Sequence, residues 1–255
     1  MITETAHRPW SLPTKRWAMT MRWHDLLFLH WPVRPHVIRP LVPPALEIDT
    51  FDGWAWIGVI PFHMSGVRPR YLPELRCTSA FSEINARTYV KTSDRSGVWF
   101  FSLDATSRLA VRVARAWYGL PYYDARITVE HAGETINYHS TRIHRGMAQA
   151  EFNASYRPIG PAYHAAPGTL DHWFTERYCL YASDRRGLVG YGDIHHVRWP
   201  LQPAEAEVRA NTMAEAAGIS LPPTEPVLHF ARQLSVVAWS IVRLSGQNDG
   251  ISDRA

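Results

Sequence analysis

The segment from Phe81 to Lys91 alternates between two sets of residues, as a β-strand does. One set is polar and holds the first candidates for chemistry: Glu83, Asn85, Arg87 and Tyr89. If Ile84, Ala86 and Val90 on the other face pack under a helix, the polar set lines the inside of a closed sheet. A carboxylate and a guanidinium placed there must pair with each other or contact a ligand. If the strand instead faces solvent, Glu83 and Arg87 are ordinary surface charges, and the pattern alone fits both cases.

A second group of candidates follows in the sequence. Asp104 is expected to cap a helix from Ala105 to Tyr118, which ends at Gly119-Leu120-Pro121. Arg115 lies on the arginine-bearing face of this helix, where it is either solvated or available to an anion. Tyr122 and Tyr123 follow in a connection, a location that often presents functional side chains, although tyrosines there also serve packing.

Many short strands and few helices are predicted around these residues. Helices are expected at Val33 to Leu41, Ala105 to Tyr118 and Leu170 to Thr175. Strands are expected at Trp54–Phe62, Phe81–Lys91, Val98–Leu103, Ala125–His131, Thr135–His144, Gln149–Tyr156, Arg177–Ala182, Gly187–Val197, Ala204–Ala210, Val227–Gln233 and Ser235–Leu244. This order predicts an α+β fold built on a large, partly closed antiparallel barrel.

Length and composition indicate one globular domain. The chain has 255 residues, of which 46% are hydrophobic and 20% charged, so we expect a single domain over 1–255 with a core at about 17–243 and peripheral ends at 1–12 and 245–255. The longest uncharged apolar runs are too short to span a membrane, and the amino terminus lacks the apolar core of a signal peptide. We therefore expect a cytoplasmic protein that does not bind a membrane.

The basic balance does not indicate a nucleic-acid partner. Of 27 basic residues only Lys15 and Lys91 are lysines, so 27 − 2 = 25 are arginines, and they are scattered along the sequence. Arginine is favoured where a guanidinium is held against a carboxylate or an aromatic ring. We expect part of the excess to form buried pairs and expect no nucleic acid as a partner. The sequence is compatible with a homo-oligomer.

Common signatures of cofactor and metal chemistry are absent from the sequence. It contains no GxGxxG, Walker loop, GxSxG or HExxH motif. His195 and His196 are adjacent, but neighbouring side chains of a strand point to opposite faces and cannot readily chelate one metal. Cys77 and Cys179 are far apart and are expected to be reduced thiols. We therefore expect neither a metal nor a cofactor.

Several blocks together resemble the central part of the bacterial YqjF-like family, over roughly residues 17 to 243. These blocks are Phe81–Val90, Gly97–Ala105, Ala114-Arg115, Leu120–Ala125, Glu176–Tyr181 and His196–Leu201. That family is grouped with the acetoacetate decarboxylase-like fold. The resemblance implies a cone-shaped antiparallel barrel whose interior is the ligand site.

The resemblance also shows where this sequence departs from the decarboxylases. Those enzymes form a Schiff base through a lysine that follows a proline, and here Pro121-Tyr122 resembles that Pro-Lys step. Tyrosine can exchange a proton but cannot form an imine, so Schiff-base decarboxylation is not expected. Glu83 resembles the carboxylate of the first barrel strand in that fold.

Two functions remain open at this point. One is an enzyme of lyase, hydratase or isomerase type acting on a small oxo or hydroxy acid. Glu83 would then be general acid or base, Tyr122 or Tyr123 would donate to an oxyanion, and Arg87 or Arg115, with Asn85, would bind the substrate. The other is a binding protein of the same fold without catalysis, and a purely structural role is a third alternative. We expect pairing with Arg87 to lower the pKa of Glu83.

Overall fold

The chain folds around one continuous, mostly antiparallel sheet. A computed structural model describes residues 3–71, 79–109, 111–112, 115, 119–184 and 186–244. Within these residues the elements are β1 (Met19–Val33), α1 (Pro35–Ile38), a 3₁₀ turn (Arg39–Leu41), β2 (Glu47–Ile48), β3 (Ala55–Pro69), β4 (Phe81–Lys91), β5 (Ser96–Ala105), β6 (Tyr122–Ala132), β7 (Thr135–Arg142), β8 (Glu151–Pro158), α2 (Leu170–Thr175), β9 (Cys179–Ser183), β10 (Val189–His195), β11 (Gln202–Asn211), a 3₁₀ turn (Glu215–Ala217), β12 (Val227–Ala238) and β13 (Val242–Arg243). No described helix has the length and apolar character needed to cross a membrane.

Strand pairing closes this sheet into two circuits that share a wall. The wall consists of β12, β1, β3, β4 and β5. One circuit of seven strands is completed by β9 and β10. The other, of nine strands, is completed by β6, β7, β8 and β11. The predicted α+β fold built on a large antiparallel barrel is therefore confirmed, and both circuits are closed where the sequence predicted partial closure.

Alternation along the wall gives each circuit its own set of side chains. Ile84 and Ala86 point into the nine-strand circuit, where they join an apolar core with Tyr138 and Phe152. They therefore pack against the opposite strands of this circuit, and the expectation that they lie under a helix is wrong. Fully burying each large apolar side chain in this core contributes about 1.5–3 kcal/mol. Glu83 points the other way, into the seven-strand circuit.

The first strand of the wall, β1, was not predicted because its sequence does not alternate regularly. Asp25 has a positive φ of 52°, and the register between β1 and β3 shifts between His24 and Leu29. Such a bulge reverses the inside and outside positions within one strand and so conceals the period of two. Asp25 also accepts a hydrogen bond from Arg232 at 2.9 Å.

The residue expected to cap a helix belongs to a strand instead. Asp104 lies near the end of β5, is fully buried, and accepts two hydrogen bonds of 2.7 Å from Arg142. Its assignment as an N-cap is therefore wrong. Of the predicted Ala105 to Tyr118 helix, Ala105 is the last residue of β5, and residues 106 and 107 are not helical. Helical residues are described at 108–109, 111–112 and 115, and residues 110, 113–114 and 116–118 lie outside the described residues. Val111 is buried with the apolar cluster that also contains Phe62.

Candidate functional site

The seven-strand circuit has an interior that combines aromatic walls with buried polar groups, and we call it the polar interior. Its inward-facing polar residues are Glu83, Asn85 and Arg87 on β4, His30 on β1 and His229 on β12. Apolar neighbours include Phe28, Phe62 and Trp199. At one end α2 places the ring of Phe174 against His30, with 3.7 Å between their centroids.

Strand register sets the order of these polar groups. His30 pairs with Gly58 of β3, and Gly58 pairs with Arg87 of β4, so these residues form one row across the wall. A Cβ atom at Gly58 would come within 3.1 Å of the His30 ring. Glycine at this position therefore makes room for an imidazole inside the barrel.

Glu83 is the most deeply perturbed acid of the polar interior. Its side chain is bonded to the hydroxyl of Tyr122 and to the side chain of Asn85, and the carboxylate oxygen Oε2 has no partner among the described residues. Pairing of Leu103 with Tyr122 brings the first residue of β6 alongside the end of β5 and therefore close to Glu83. From outside the polar interior, Tyr138 donates a 2.8 Å hydrogen bond to the backbone carbonyl of Glu83.

Burial determines the protonation of Glu83. The residue is only 2% exposed, and desolvation raises the pKa of its carboxyl group to about 8, with a smaller contribution from the negative charge of Asp104. The hydrogen bonds from Tyr122 and Asn85 oppose this rise but do not cancel it. Glu83 is therefore protonated at neutral pH, and the expectation that Arg87 would lower its pKa is wrong.

Arg87 makes few contacts for a guanidinium inside a barrel. Its Nη2 donates to the Tyr89 hydroxyl at 3.3 Å, and its Nε has no partner. The guanidinium carbon lies 5.8 Å from the centre of the Phe28 ring. No carboxylate of the described residues forms an ion pair with Arg87. A cation held this way favours an anionic ligand.

Asn85 lies between these two groups along β4. It is 4% exposed, and its side chain is bonded to Glu83. Its Oδ1 has no partner among the described residues. The amide can therefore accept a hydrogen bond from a bound molecule while it holds the carboxyl group of Glu83.

Tyr123 and Arg115 are positioned outside this group. The ring of Tyr123 packs against His144 and under the guanidinium of Arg142, at 5.5 and 4.4 Å. Arg115 is exposed and donates to the backbone carbonyl of Tyr122 at 2.6 Å. The structure thus brings Glu83, Asn85 and Tyr122 together, with Arg87 on the same wall. Arg115 holds the backbone carbonyl of Tyr122 from outside this group, and Tyr123 contacts none of these three residues through its ring.

Two polar groups of the interior, His30 and His229, were missed by the sequence analysis. His229 is 5% exposed, and its Nε2 lies 3.0 Å from Oδ1 of Asp171 on α2. Tyr163 donates to the other Asp171 oxygen at 2.9 Å. The only signal in the sequence is a histidine inside an apolar strand, and nothing in the spacing connects it with an aspartate of a distant helix.

Neither the two lysines nor a group of metal-binding side chains lies at Tyr122 among the described residues. Lys91 lies at the end of β4, 3.1 Å from Glu47, and the backbone carbonyl of Lys15 accepts a hydrogen bond from Trp239. Neither contact involves Tyr122. Within the described ranges, no three His, Cys, Asp or Glu side chains are grouped so that they could hold a metal ion. Cys179 is a buried free thiol, and Cys77 lies outside the described residues.

An open surface depression of about 350 Å³ lies on the outer strands, away from the polar interior. Its lining includes Ser155, Arg157 and Glu205. The side chains of Arg157 and Glu205 are more than half exposed and pair with each other. Because exposed pairs of this kind are strongly solvated, we assign no chemistry to this depression.

Comparison with known proteins gives one family and one curated relative. The model of the family DUF2071, described as an uncharacterized conserved protein, matches residues 20–235. The uncharacterized protein YqjF of Bacillus subtilis (strain 168) is 46% identical over 235 residues, which cover 92% of this chain and 96% of that protein.

Solved structures with the same fold are distant in sequence. An acetoacetate decarboxylase-like enzyme from Sphingomonas wittichii RW1 aligns with a TM-score of 0.60 and 13% identity, covering 90% of this chain and 94% of the other. The enduracididine biosynthesis enzyme MppR, in complex with a condensation product of pyruvate and imidazole 4-carboxaldehyde, aligns with a TM-score of 0.63 and 13% identity. This alignment covers 94% of this chain and 92% of MppR. Acetoacetate decarboxylase from Legionella pneumophila aligns with a TM-score of 0.56 and 12% identity, covering 93% of this chain and 94% of the decarboxylase. At these identities the likeness shows the fold alone.

Proposed function

The chain belongs to the DUF2071 family, and from its polar interior we propose that it is an enzyme performing acid–base chemistry on a small oxo or hydroxy acid. The reaction type is that of a lyase, hydratase or isomerase. The observation that carries this proposal is Glu83, a buried carboxylic acid with a pKa of about 8 and a free oxygen facing the interior. An acid whose pKa lies near the working pH is well suited to proton transfer.

Glu83 and Tyr122 form the acidic end of the proposed site. At neutral pH Glu83 carries the proton that a substrate carbonyl oxygen would take up as it becomes an alcohol or enol. Burial also raises the pKa of Tyr122 well above its usual value, so its hydroxyl stays neutral and remains a hydrogen-bond donor. In the structure that hydroxyl donates to Glu83. To donate to a substrate oxygen it must turn away from Glu83, and the two groups would then both stabilise an oxygen that gains negative charge in the transition state.

Arg87 is the proposed anchor for the carboxylate of the substrate. It follows Glu83 by four residues on the same face of β4, which places their Cα atoms about 13 Å apart. Both side chains lie on the inward face of β4, and the proposed substrate is a molecule of a few carbon atoms that reaches from one to the other. Support for this class of ligand comes from MppR, which has the same fold and has been solved with pyruvate.

The proposed chemistry proceeds without an imine. Tyr122 stands where the resemblance to the decarboxylases would place the lysine, and the two lysines of the chain lie elsewhere. Proton transfer through Glu83 requires no covalent attachment of the substrate to the protein.

The experiment measures the exchange of pyruvate methyl protons for deuterium by NMR, because this exchange reports reversible enol formation. We expect the wild-type protein to catalyse exchange, and Glu83→Gln to lose it by about 10²–10⁴-fold with the dissociation constant for pyruvate little changed. Arg87→Gln should weaken pyruvate binding at least tenfold. Glu134→Gln, at an exposed turn, serves as the control and should behave as wild type.

A binding protein without catalysis is the second candidate, and the tyrosine in place of the lysine favours it. It predicts that pyruvate or a related acid binds, that Arg87→Gln weakens this binding, and that no exchange occurs. Exchange at the native rate in Glu83→Gln would remove Glu83 from the proposed mechanism.

A further inference from the structure

His229 is held in one orientation by a carboxylate outside the wall. Its Nε2 lies 3.0 Å from Oδ1 of Asp171, and Tyr163 donates to Oδ2 of the same carboxylate at 2.9 Å. Asp171 belongs to α2, the helix that closes one end of the barrel. Both oxygens of Asp171 are therefore engaged, and its contact with His229 is fixed from two sides.

This arrangement selects one tautomer of the imidazole. Since a carboxylate only accepts hydrogen bonds, Nε2 carries the proton and Nδ1 carries a lone pair. Nδ1 is buried and has no partner among the described residues. An acceptor left without a partner costs about 1–3 kcal/mol, and this lone pair is available to a ligand.

The lone pair of His229 belongs to the same interior as Glu83. Val227 pairs with His30, His30 with Gly58 and Gly58 with Arg87, so one row of the wall connects β12 with β4. On β12, His229 is the inward residue that follows Val227. On β4, Asn85 is the inward residue between Arg87 and Glu83. His229 thus lies one step from the row of Arg87, in the direction of the acidic end.

We propose that His229, oriented by Asp171, is the base that removes a proton from the carbon next to the substrate carbonyl while Glu83 protonates the carbonyl oxygen. This inference rests on the function proposed above and restricts the substrate to oxo acids with hydrogen on that carbon. The C–H electron pair forms the new C=C bond, and the C=O π pair takes the proton of Glu83. The products are an enol, a Glu83 carboxylate and an imidazolium stabilised by Asp171, and the reverse step restores all three groups.

The protonation states fit these roles at neutral pH. Burial lowers the pKa of His229, and the charge of Asp171 opposes this only in part. The other titratable group that interacts with it is His30, whose pKa is also lowered by burial and which in turn interacts with Arg87. The proposed base is thus neutral and the proposed acid protonated, and the exchange rate should fall at low pH as His229 protonates and above about pH 8 as Glu83 ionises.

The test compares His229→Gln with a matched control, His139→Gln. His139 also contacts a carboxylate, Glu151 at 3.3 Å, but lies exposed on the outer strands. We expect His229→Gln to slow deuterium exchange into pyruvate by at least 100-fold with its dissociation constant within threefold of wild type, and His139→Gln to exchange at the native rate. An unchanged rate in His229→Gln, or a loss of binding equal to the loss of rate, would overturn the proposal.

Two measurements keep the result clear if His229→Gln does not fold. Asp171→Asn removes the charge that orients the imidazole and should slow exchange at least tenfold. A native exchange rate in this variant would contradict the role of His229 as the base. Nitrogen-15 NMR of the wild-type histidines at pH 7 should show His229 neutral with its proton on Nε2, and a proton on Nδ1 refutes the role directly. A wild-type protein that binds pyruvate without exchanging it would overturn the proposed enzyme itself, and the base with it.

Discussion

Replacing Glu83 by Gln should change how the stability of the protein depends on pH. In the unfolded chain this carboxyl group ionises near its ordinary pKa of 4.5, and in the folded protein only near 8. The folded state therefore holds a proton that the unfolded state has released. The stabilisation from this proton is fully present below pH 4.5 and is lost as the pH rises toward 8.

The size of the effect follows from these two values. Each pH unit between them removes about 1.4 kcal/mol of unfolding free energy, and the whole interval removes about 5 kcal/mol. About 4 kcal/mol of this falls between pH 5 and 9. Glu83 is almost completely buried, so solvent screening does not reduce the figure much. The amide of Gln keeps the shape of the side chain and does not titrate.

The measurement is guanidinium denaturation of both proteins at pH 5, 7 and 9, followed by the fluorescence of the tryptophans. The difference in unfolding free energy between Glu83→Gln and wild type should shift by about 4 kcal/mol in favour of the variant from pH 5 to pH 9. The exposed replacement Glu134→Gln should leave the wild-type profile unchanged. Parallel profiles for wild type and Glu83→Gln would refute the conclusion that Glu83 is protonated in the folded protein at neutral pH.

Three further predictions concern other buried groups. Arg142→Gln leaves the Asp104 carboxylate buried without its cation and should cost about 3–5 kcal/mol in the same denaturation assay; a loss below about 1 kcal/mol would contradict the buried pair. Incubation with acetoacetate and borohydride should leave Lys15 and Lys91 unmodified by peptide mass mapping, and a stoichiometric adduct at Lys91 would disprove imine-free chemistry. Because burial raises the pKa of the Cys179 thiol, a disulfide reagent at pH 8 should label it only after unfolding, and labelling of the native protein would contradict this.

The sequence was most informative where the apolar residues follow a single periodicity, that of a strand or that of a helix. The predicted strand over Phe81 to Lys91 and the predicted helix over Leu170 to Thr175 have the limits found in the structure. In the first, a strict alternation ends before the turn signal Asp94-Arg95-Ser96-Gly97, and in the second, apolar residues recur three and four positions apart. Both elements depend on residues that are close together in the sequence, so their limits can be predicted from the sequence alone.

Features that depend on distant strands could not be obtained in this way. Asp104 has the side chain of a helix cap, but its partner Arg142 comes from β7, and this buried pair keeps it in the sheet. The expected pair of Glu83 with Arg87 fails for a geometric reason, because residues four apart on one strand face are about 13 Å apart. The contact of His229 with Asp171 exists only because α2 closes the barrel.

The wall shared by the two circuits divides mutational effects between alternate positions. On β4, Ile84 and Ala86 belong to a tightly packed apolar core, whereas Glu83, Asn85 and Arg87 belong to the polar interior. Under the proposed function, a library restricted to these three inward positions varies ligand preference while Ile84 and Ala86 stay constant. Under the same proposal, ligand preference and the packing of the nine-strand core depend on different residues of one strand.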